Sequence, residues 1–152
     1  MKPKSELFRF DHLGLVCRDF SATRTSVGGI HGIEAWSEVF QDPIQKVEVQ
    51  FGLSRHAPVI ELIRPLRSDS PIAQVLDRKA NVLNHLAYRV AAMDKAIEHC
   101  RALGYFVISP PAPAVAFGGN LICFLYTPDD FIIELIEGLD FTHRFETPTA
   151  PQ

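Results

Sequence analysis

The sequence predicts an α+β fold made of two copies of a βαβββ module. Three observations predict it. Phe10-Asp11-His12-Leu13-Gly14 is echoed by Leu83-Asn84-His85-Leu86-Ala87. Val59-Ile60-Glu61-Leu62-Ile63-Arg64-Pro65-Leu66 is echoed by Ile132-Ile133-Glu134-Leu135-Ile136-Glu137-Gly138-Leu139. The spacing is the same in both copies: 49 positions separate His12 from Glu61, and 49 separate His85 from Glu134. One histidine–glutamate pair arises easily by chance, but the same pair twice in matching strand contexts is the mark of duplication.

In the first copy, 8–17 and 57–64 read as strands, with further strands at 33–40 and 46–53. Asp19 to Gly29 is a poor helix of one or two turns, because Thr23, Thr25, Ser26 and Val27 have weak propensity and Gly28-Gly29 should end it. Ser70-Pro71 begins a linker helix over about 70–80, with serine as cap and proline in the first turn. In the second copy 83–90 is a strand. Met93, Ala96, Ile97, Cys100 and Leu103 then recur at helical spacing, and Gly104 stands where a helix stops. Tyr105 to Ser109 is a short strand, and Pro110-Pro111-Ala112-Pro113 reads as a loop because proline cannot donate to a ladder. Leu121 to Tyr126 and Phe131 to Glu137 form a hairpin about the Pro128-Asp129-Asp130 turn. Module one thus spans about 8–66, module two about 83–138, and a polar Thr/Pro-rich tail at 140–152 lies outside the core, all in one domain of 152 residues.

Composition limits the function classes. A hydrophobic fraction of 47% with 22% charged residues supports a packed core. A net charge of −3 and no basic stripe exclude a nucleic-acid surface. Residues Met1 to Glu6 show no apolar signal region and no run reaches membrane-spanning length, so a soluble cytoplasmic protein is expected. Cys17, Cys100 and Cys123 sit apart in apolar stretches, as reduced core thiols do.

Glu61 and Glu134 are the anomalous residues. Each lies mid-strand between Val, Ile and Leu, so both strand faces are apolar. A lone buried carboxylate costs several kcal/mol and must be protonated, paired or bound to a cation. Arg64 and Arg89 are available as partners. His12 and His85 also lie mid-strand, and a pseudo-twofold between the modules would bring all four side chains to one point. Two neutral imidazoles and two carboxylates suit one divalent metal ion, with zinc, nickel, cobalt, manganese and iron all compatible. His31, His56, His99 and His143 fall outside the repeat and read as surface or loop residues. Trp36, Phe51, Phe117 and Phe124 read as core.

With these four ligands in paired modules, the chain resembles the vicinal oxygen chelate superfamily, which includes glyoxalase I and methylmalonyl-CoA epimerase. The similarity covers about residues 8–138. Its more specific part is Arg67-Ser68-Asp69-Ser70-Pro71-Ile72-Ala73, the following helix, His85-Leu86-Ala87-Tyr88, and Gly118-Gly119-Asn120 before Leu121 to Tyr126. The resemblance implies βαβββ modules forming an incomplete barrel around the metal, and a homodimer. The epimerases carry a glutamate base on the third strand of module one. That position is Val49 here, and Glu48 beside it faces the other way.

A metal of this kind stabilises the enolate formed when a C–H proton next to a carbonyl or thioester leaves. Glu134 and Glu61 are the candidate catalytic carboxylates, and Gly118 and Gly119 the candidate substrate-binding residues. The leading expectation is a divalent-metal-dependent isomerase or epimerase of an acyl-CoA or similar thioester. The alternatives are a glyoxalase I type lyase acting on a hemithioacetal and a non-catalytic small-molecule binding or resistance protein.

Overall fold

The computed structural model describes residues 7–78 and 82–146. Nine strands and three α-helices follow in the order β1 (Arg9–Val16), α1 (Phe20–His31), β2 (Ile33–Trp36), β3 (Phe40–Asp42), β4 (Val47–Ser54), β5 (Val59–Pro65), α2 (Ala73–Arg78), β6 (Val82–Val90), α3 (Met93–Ala102), β7 (Phe106–Pro113), β8 (Leu121–Tyr126) and β9 (Ile132–Glu137). They form one open mixed sheet in the order β2-β4-β5-β1-β6-β9-β8-β7, with β3 also on β4. The sheet has an internal symmetry. β1 runs parallel to β5 and β6 parallel to β9, while β1 and β6 meet antiparallel at the centre. The α+β class and the two-copy strand pattern follow the sequence reading, and the sheet stays open rather than closing into a barrel.

Side-chain alternation separates the two faces. Leu13 and Leu15 of β1 and Ile60 and Leu62 of β5 pack with Phe20 and Val27 of α1. Ile133 and Leu135 of β9 and Leu125 of β8 pack with Met93, Ala96, Ile97 and Cys100 of α3. The other face, carrying Val16, Val49, Phe51, Ile63, Ala87, Phe117 and Ile136, encloses the interior that holds the polar residues. All three cysteines are buried and unbridged. Among the described residues no helix is long and apolar enough to cross a membrane.

Four local expectations need correction. α1 does not stop at Gly28-Gly29. It runs twelve residues, with the Asp19 carboxylate accepting from Ala22 N–H at its start and Gly32, at φ 69°, closing its end. Gly28 is kept because a methyl there would come within 3.2 Å of the Trp36 ring, so helix–sheet packing outweighs the propensity cost of glycine. Residues 110–113 are strand, not loop: they end the edge strand β7, whose outer side needs no donors and whose register slips twice against β8. Ser70 does not cap α2 through its side chain, since its buried Oγ lacks a partner among the described residues and its carbonyl instead accepts from Ala73 N–H. The described part of the tail, 140–146, is not outside the core: Phe141 and Phe145 pack onto the interior cluster. The expected end of the linker helix at 79–80, the reading of residues 1–6 and the tail beyond 146 lie outside the described residues.

Candidate metal centre

Register brings the four sequence-predicted ligands together. Across the central pair, His12 on β1 faces Ala87 on β6, and His85 on β6 faces Gly14 on β1. Gly14 in turn neighbours Glu61 on β5, and Ala87 neighbours Glu134 on β9. The two halves therefore present one histidine, one small residue and one glutamate each, in equivalent positions. Smallness is required: a methyl added to Gly14 would lie 2.2 Å from Cε1 of His85.

The ligand atoms converge. His12 Nε2 lies 3.2 Å from His85 Nε2, 3.1 Å from Glu61 Oε2 and 3.2 Å from Glu134 Oε2. His85 Nε2 lies 3.3 Å from Glu61 Oε2 and 3.1 Å from Glu134 Oε2. Ligand atoms about 2.0–2.2 Å from a shared ion are separated from one another by about 3–3.5 Å, so these residues fit a divalent cation. All four are buried. Arg64 and Arg89 do not neutralise the two glutamates: Arg64 bonds to Glu48, and Arg89 to Asp11.

Each histidine is oriented by the residue before it. Between Phe10 and His12, β1 carries one residue more than β6, and between Gly14 and Leu15 the extra residue is on β6. These bulges fall at Asp11 and Asn84 and turn them toward the following ring. His12 Nδ1–H donates to Asp11 Oδ2 at 2.7 Å, and His85 Nδ1–H donates to Asn84 Oδ1 at 2.9 Å. With both Nδ1 atoms protonated, a neutral imidazole presents a bare Nε2 lone pair inward. Two such lone pairs and two carboxylates then face one another, an arrangement that requires positive charge. Glu134 Oε2 displays the need most plainly, being buried and accepting no hydrogen bond among the described residues.

The electrostatics agree. Burial disfavours the charged form of His12, yet the Glu61 charge, the bond to Asp11 and the nearby carboxylates of Glu134 and Glu61 outweigh it and raise its proton affinity well above the ordinary value. His85 is raised in the same sense: burial is opposed by Glu134 and Glu61. Glu61 is lowered, because the His12 and His85 rings outweigh its own burial. Without a cation, protons on the histidines take its place.

The centre opens on a cavity of about 620 Å³, within the range of small-molecule sites. Glu61, His85, Glu134 and Asn84 lie on its wall beside Val49, Ile63, Ile122 and Phe124, with Gln45 and Lys46 also on its lining. Glu48 is absent from this lining and faces away, bonded to Arg64 and Gln41. Gly118 and Gly119 do not join the site. The 3₁₀ turn Val115–Phe117 puts Ala116 and Phe117 on the cavity wall, and the glycines close that turn at φ 64° and 86° away from it.

Two residues escaped the sequence reading. Asp11, buried at the first bulge, accepts from His12, His143 and Arg89. Burial alone would push its carboxyl up, but the bonds from His12 and His143 hold it far below the usual carboxylate range. His143 lies in an irregular segment, as the loop reading expects, but it is not a surface residue, since its side chain is 5% exposed. Asp11 had a signal in the sequence, because both histidines follow an Asp or Asn. His143 had none.

A family model described as the Glyoxalase/Bleomycin resistance protein/Dioxygenase superfamily matches residues 11–124. The chain is 28% identical over 130 residues to the ethylmalonyl-CoA/methylmalonyl-CoA epimerase of Cereibacter sphaeroides, a match covering 85% of this chain and 95% of that protein. Among solved structures, the methylmalonyl-CoA epimerase of Mycobacterium tuberculosis shares the fold with a TM-score of 0.74 at 24% identity, over 90% of this chain and 92% of that one. A variant of the Streptomyces coelicolor methylmalonyl-CoA epimerase in complex with 2-nitronate-propionyl-CoA aligns with a TM-score of 0.70 at 25% identity, over 88% of this chain and 99% of that one.

Proposed function

This chain belongs to the Glyoxalase/Bleomycin resistance protein/Dioxygenase superfamily, and we propose that it is a divalent-metal-dependent epimerase of acyl-CoA thioesters. The observation that carries the proposal is the convergence of the ligand atoms of His12, Glu61, His85 and Glu134 within 4.8 Å of one another, with Glu61, His85 and Glu134 on the wall of a largely apolar cavity. The epimerase relatives support the acyl-CoA class.

His12, Glu61, His85 and Glu134 would hold the ion. When bound, a divalent cation supplies Lewis-acid polarisation of a carbonyl or thioester oxygen, which eases loss of the neighbouring C–H proton. The chain's own residues do the rest. Glu134 has a buried oxygen with no hydrogen bond to give up, which suits it to take the α-proton. Glu61, from the opposite half, would return a proton on the other face, as inversion at one carbon requires. Asp11 and Asn84 keep the imidazoles from rotating. Val49, Ile63 and Ile122 exclude water from the reacting carbon.

The test is deuterium uptake from heavy water into the α-carbon of methylmalonyl-CoA or ethylmalonyl-CoA. Metal-loaded wild type is expected to exchange the proton and interconvert the epimers. Glu134→Gln is expected to lose at least about 100-fold, the scale of a positioned general base. Lactoyl-thioester formation from a hemithioacetal with no exchange would point to a lyase instead. Tight binding of a thioester with no turnover would point to a binding protein.

A further inference from the structure

Beyond β9 the chain turns back across the sheet. Phe141 and Phe145 join the interior cluster, and Glu146 N–H donates to the Trp36 carbonyl at 2.9 Å. His143 is inserted between them, its ring centroid 4.3 Å from that of Phe51 and 5.3 Å from that of Phe141. In such an aromatic cage a leucine or phenylalanine would fill the space at less cost than an imidazole, whose polar nitrogens need partners. The Nε2 of His143 meets that need by donating to Asp11 Oδ2 at 2.7 Å, the oxygen that also accepts from His12 Nδ1 at 2.7 Å. Asp11 Oδ1 accepts from Arg89 Nε, and another Arg89 nitrogen donates to the Phe141 carbonyl. The segment is thus tied to Asp11 through two routes, and neither carboxylate oxygen is free to swing.

We infer that His143 is a positioning residue for the metal centre, holding the His12 ring through Asp11 so that Nε2 stays aimed at the point shared with Glu61, His85 and Glu134. The inference rests on the metal reading of those four residues. It makes the 141–146 segment part of the site rather than an appendage. The two halves also differ here: the Asn84 oxygen bonds only to His85 among the described residues, whereas Asp11 is braced on both oxygens. Partners that orient a ligand in this way are worth 10–100-fold in metal affinity.

The probe is Co(II) bound to the full-length chain, measured by competition with a chromophoric chelator, with its visible spectrum and the urea unfolding of the metal-free chain recorded alongside. His143→Phe fills the cage but cannot donate, and is expected to weaken Co(II) binding about 10- to 100-fold and shift the visible bands. His143→Gln keeps a donor of similar reach and is expected to restore most of the affinity. A purely packing role would instead lower the urea midpoint of the variants and leave Co(II) affinity alike in both, which would overturn the inference. If His143→Phe does not fold, His143→Leu takes its place, and equal affinity of His143→Leu and His143→Gln overturns it on the same ground. A wild type that binds no Co(II), indistinguishable from His85→Ala, would instead remove the metal reading, and the inference with it.

Discussion

Gly14→Ala is a one-carbon change with a consequence that can be worked out from the register. The added methyl would stand 2.2 Å from Cε1, 2.4 Å from Nε2 and 2.5 Å from Nδ1 of His85. Carbon contacts relax only near about 3.5–4.0 Å, so the ring must retreat by more than about 1 Å. The ring has little freedom to do so, because Nδ1 is bonded to Asn84 and Nε2 stands 3.1–3.3 Å from the two glutamates. Either His85 leaves the cluster or the central β1–β6 pair opens. Overpacking of this kind costs about 1–3 kcal/mol, which in a chain of this size lowers the melting temperature by about 2–4 °C per kcal/mol. Thermal melts with and without zinc provide the assay. The metal-free variant is expected to melt lower, and the stabilisation gained from zinc is expected to shrink because one of four ligands is displaced. Ala87→Gly is the matched control: it lies opposite His12 in the other half, creates no clash, and should cost about 1 kcal/mol while keeping zinc binding. A Gly14→Ala chain with wild-type zinc affinity and melting temperature would refute the convergence argument.

Two further outcomes follow from the same geometry. Burial opposes protonation of His12, but Glu61, Asp11 and Glu134 raise its pKa above 6.5, so its contribution to metal-free stability is complete below that pH and is lost as pH rises through the higher folded value. Metal binding displaces those protons and strengthens over the same range. Melts from pH 6 to pH 9, taken as about half a unit below and well above the ordinary histidine value, should show the metal-free chain weakening while the gain from zinc widens; a flat metal-free profile contradicts this. Glu48→Gln should leave deuterium exchange at the wild-type rate and cost no more than about 1 kcal/mol, since Glu48 serves Arg64 and Gln41 on the outer face. A large loss of exchange in that variant would mean that Glu48, not Glu61, is the second acid/base group.

The repeat was the most legible feature because duplication places equal residues at equal spacing, and sheet alternation then requires both histidines and both glutamates to face inward. Buried carboxylates stood out for the same reason: two mid-strand glutamates among Val, Ile and Leu need a partner. Features set by contacts distant in sequence were less legible. α1 continues through Gly28, which packs against Trp36 on the next strand, where a methyl would come within 3.2 Å of the ring. The prolines at 110–113 enter a strand because β7 is an edge, a fact of topology and not of composition. His143 reads from sequence as a surface or loop residue because it falls outside the repeat. Its partner Asp11 lies 132 positions away. The glycine pair at 118–119, for which the sequence suggests a ligand role, lies outside the cavity lining that carries Glu61, His85 and Glu134, and both glycines have positive φ, a conformation that favours glycine.

The most direct test of the central claim is anomalous X-ray diffraction from crystals of the zinc-loaded chain, collected on both sides of the zinc absorption edge. One peak per chain is expected, about 2.0–2.2 Å from Nε2 of His12, Nε2 of His85 and a carboxylate oxygen of each of Glu61 and Glu134. Loaded crystals with no peak among those four side chains, or with zinc held elsewhere while the cluster stays closed on its own hydrogen bonds, would contradict it.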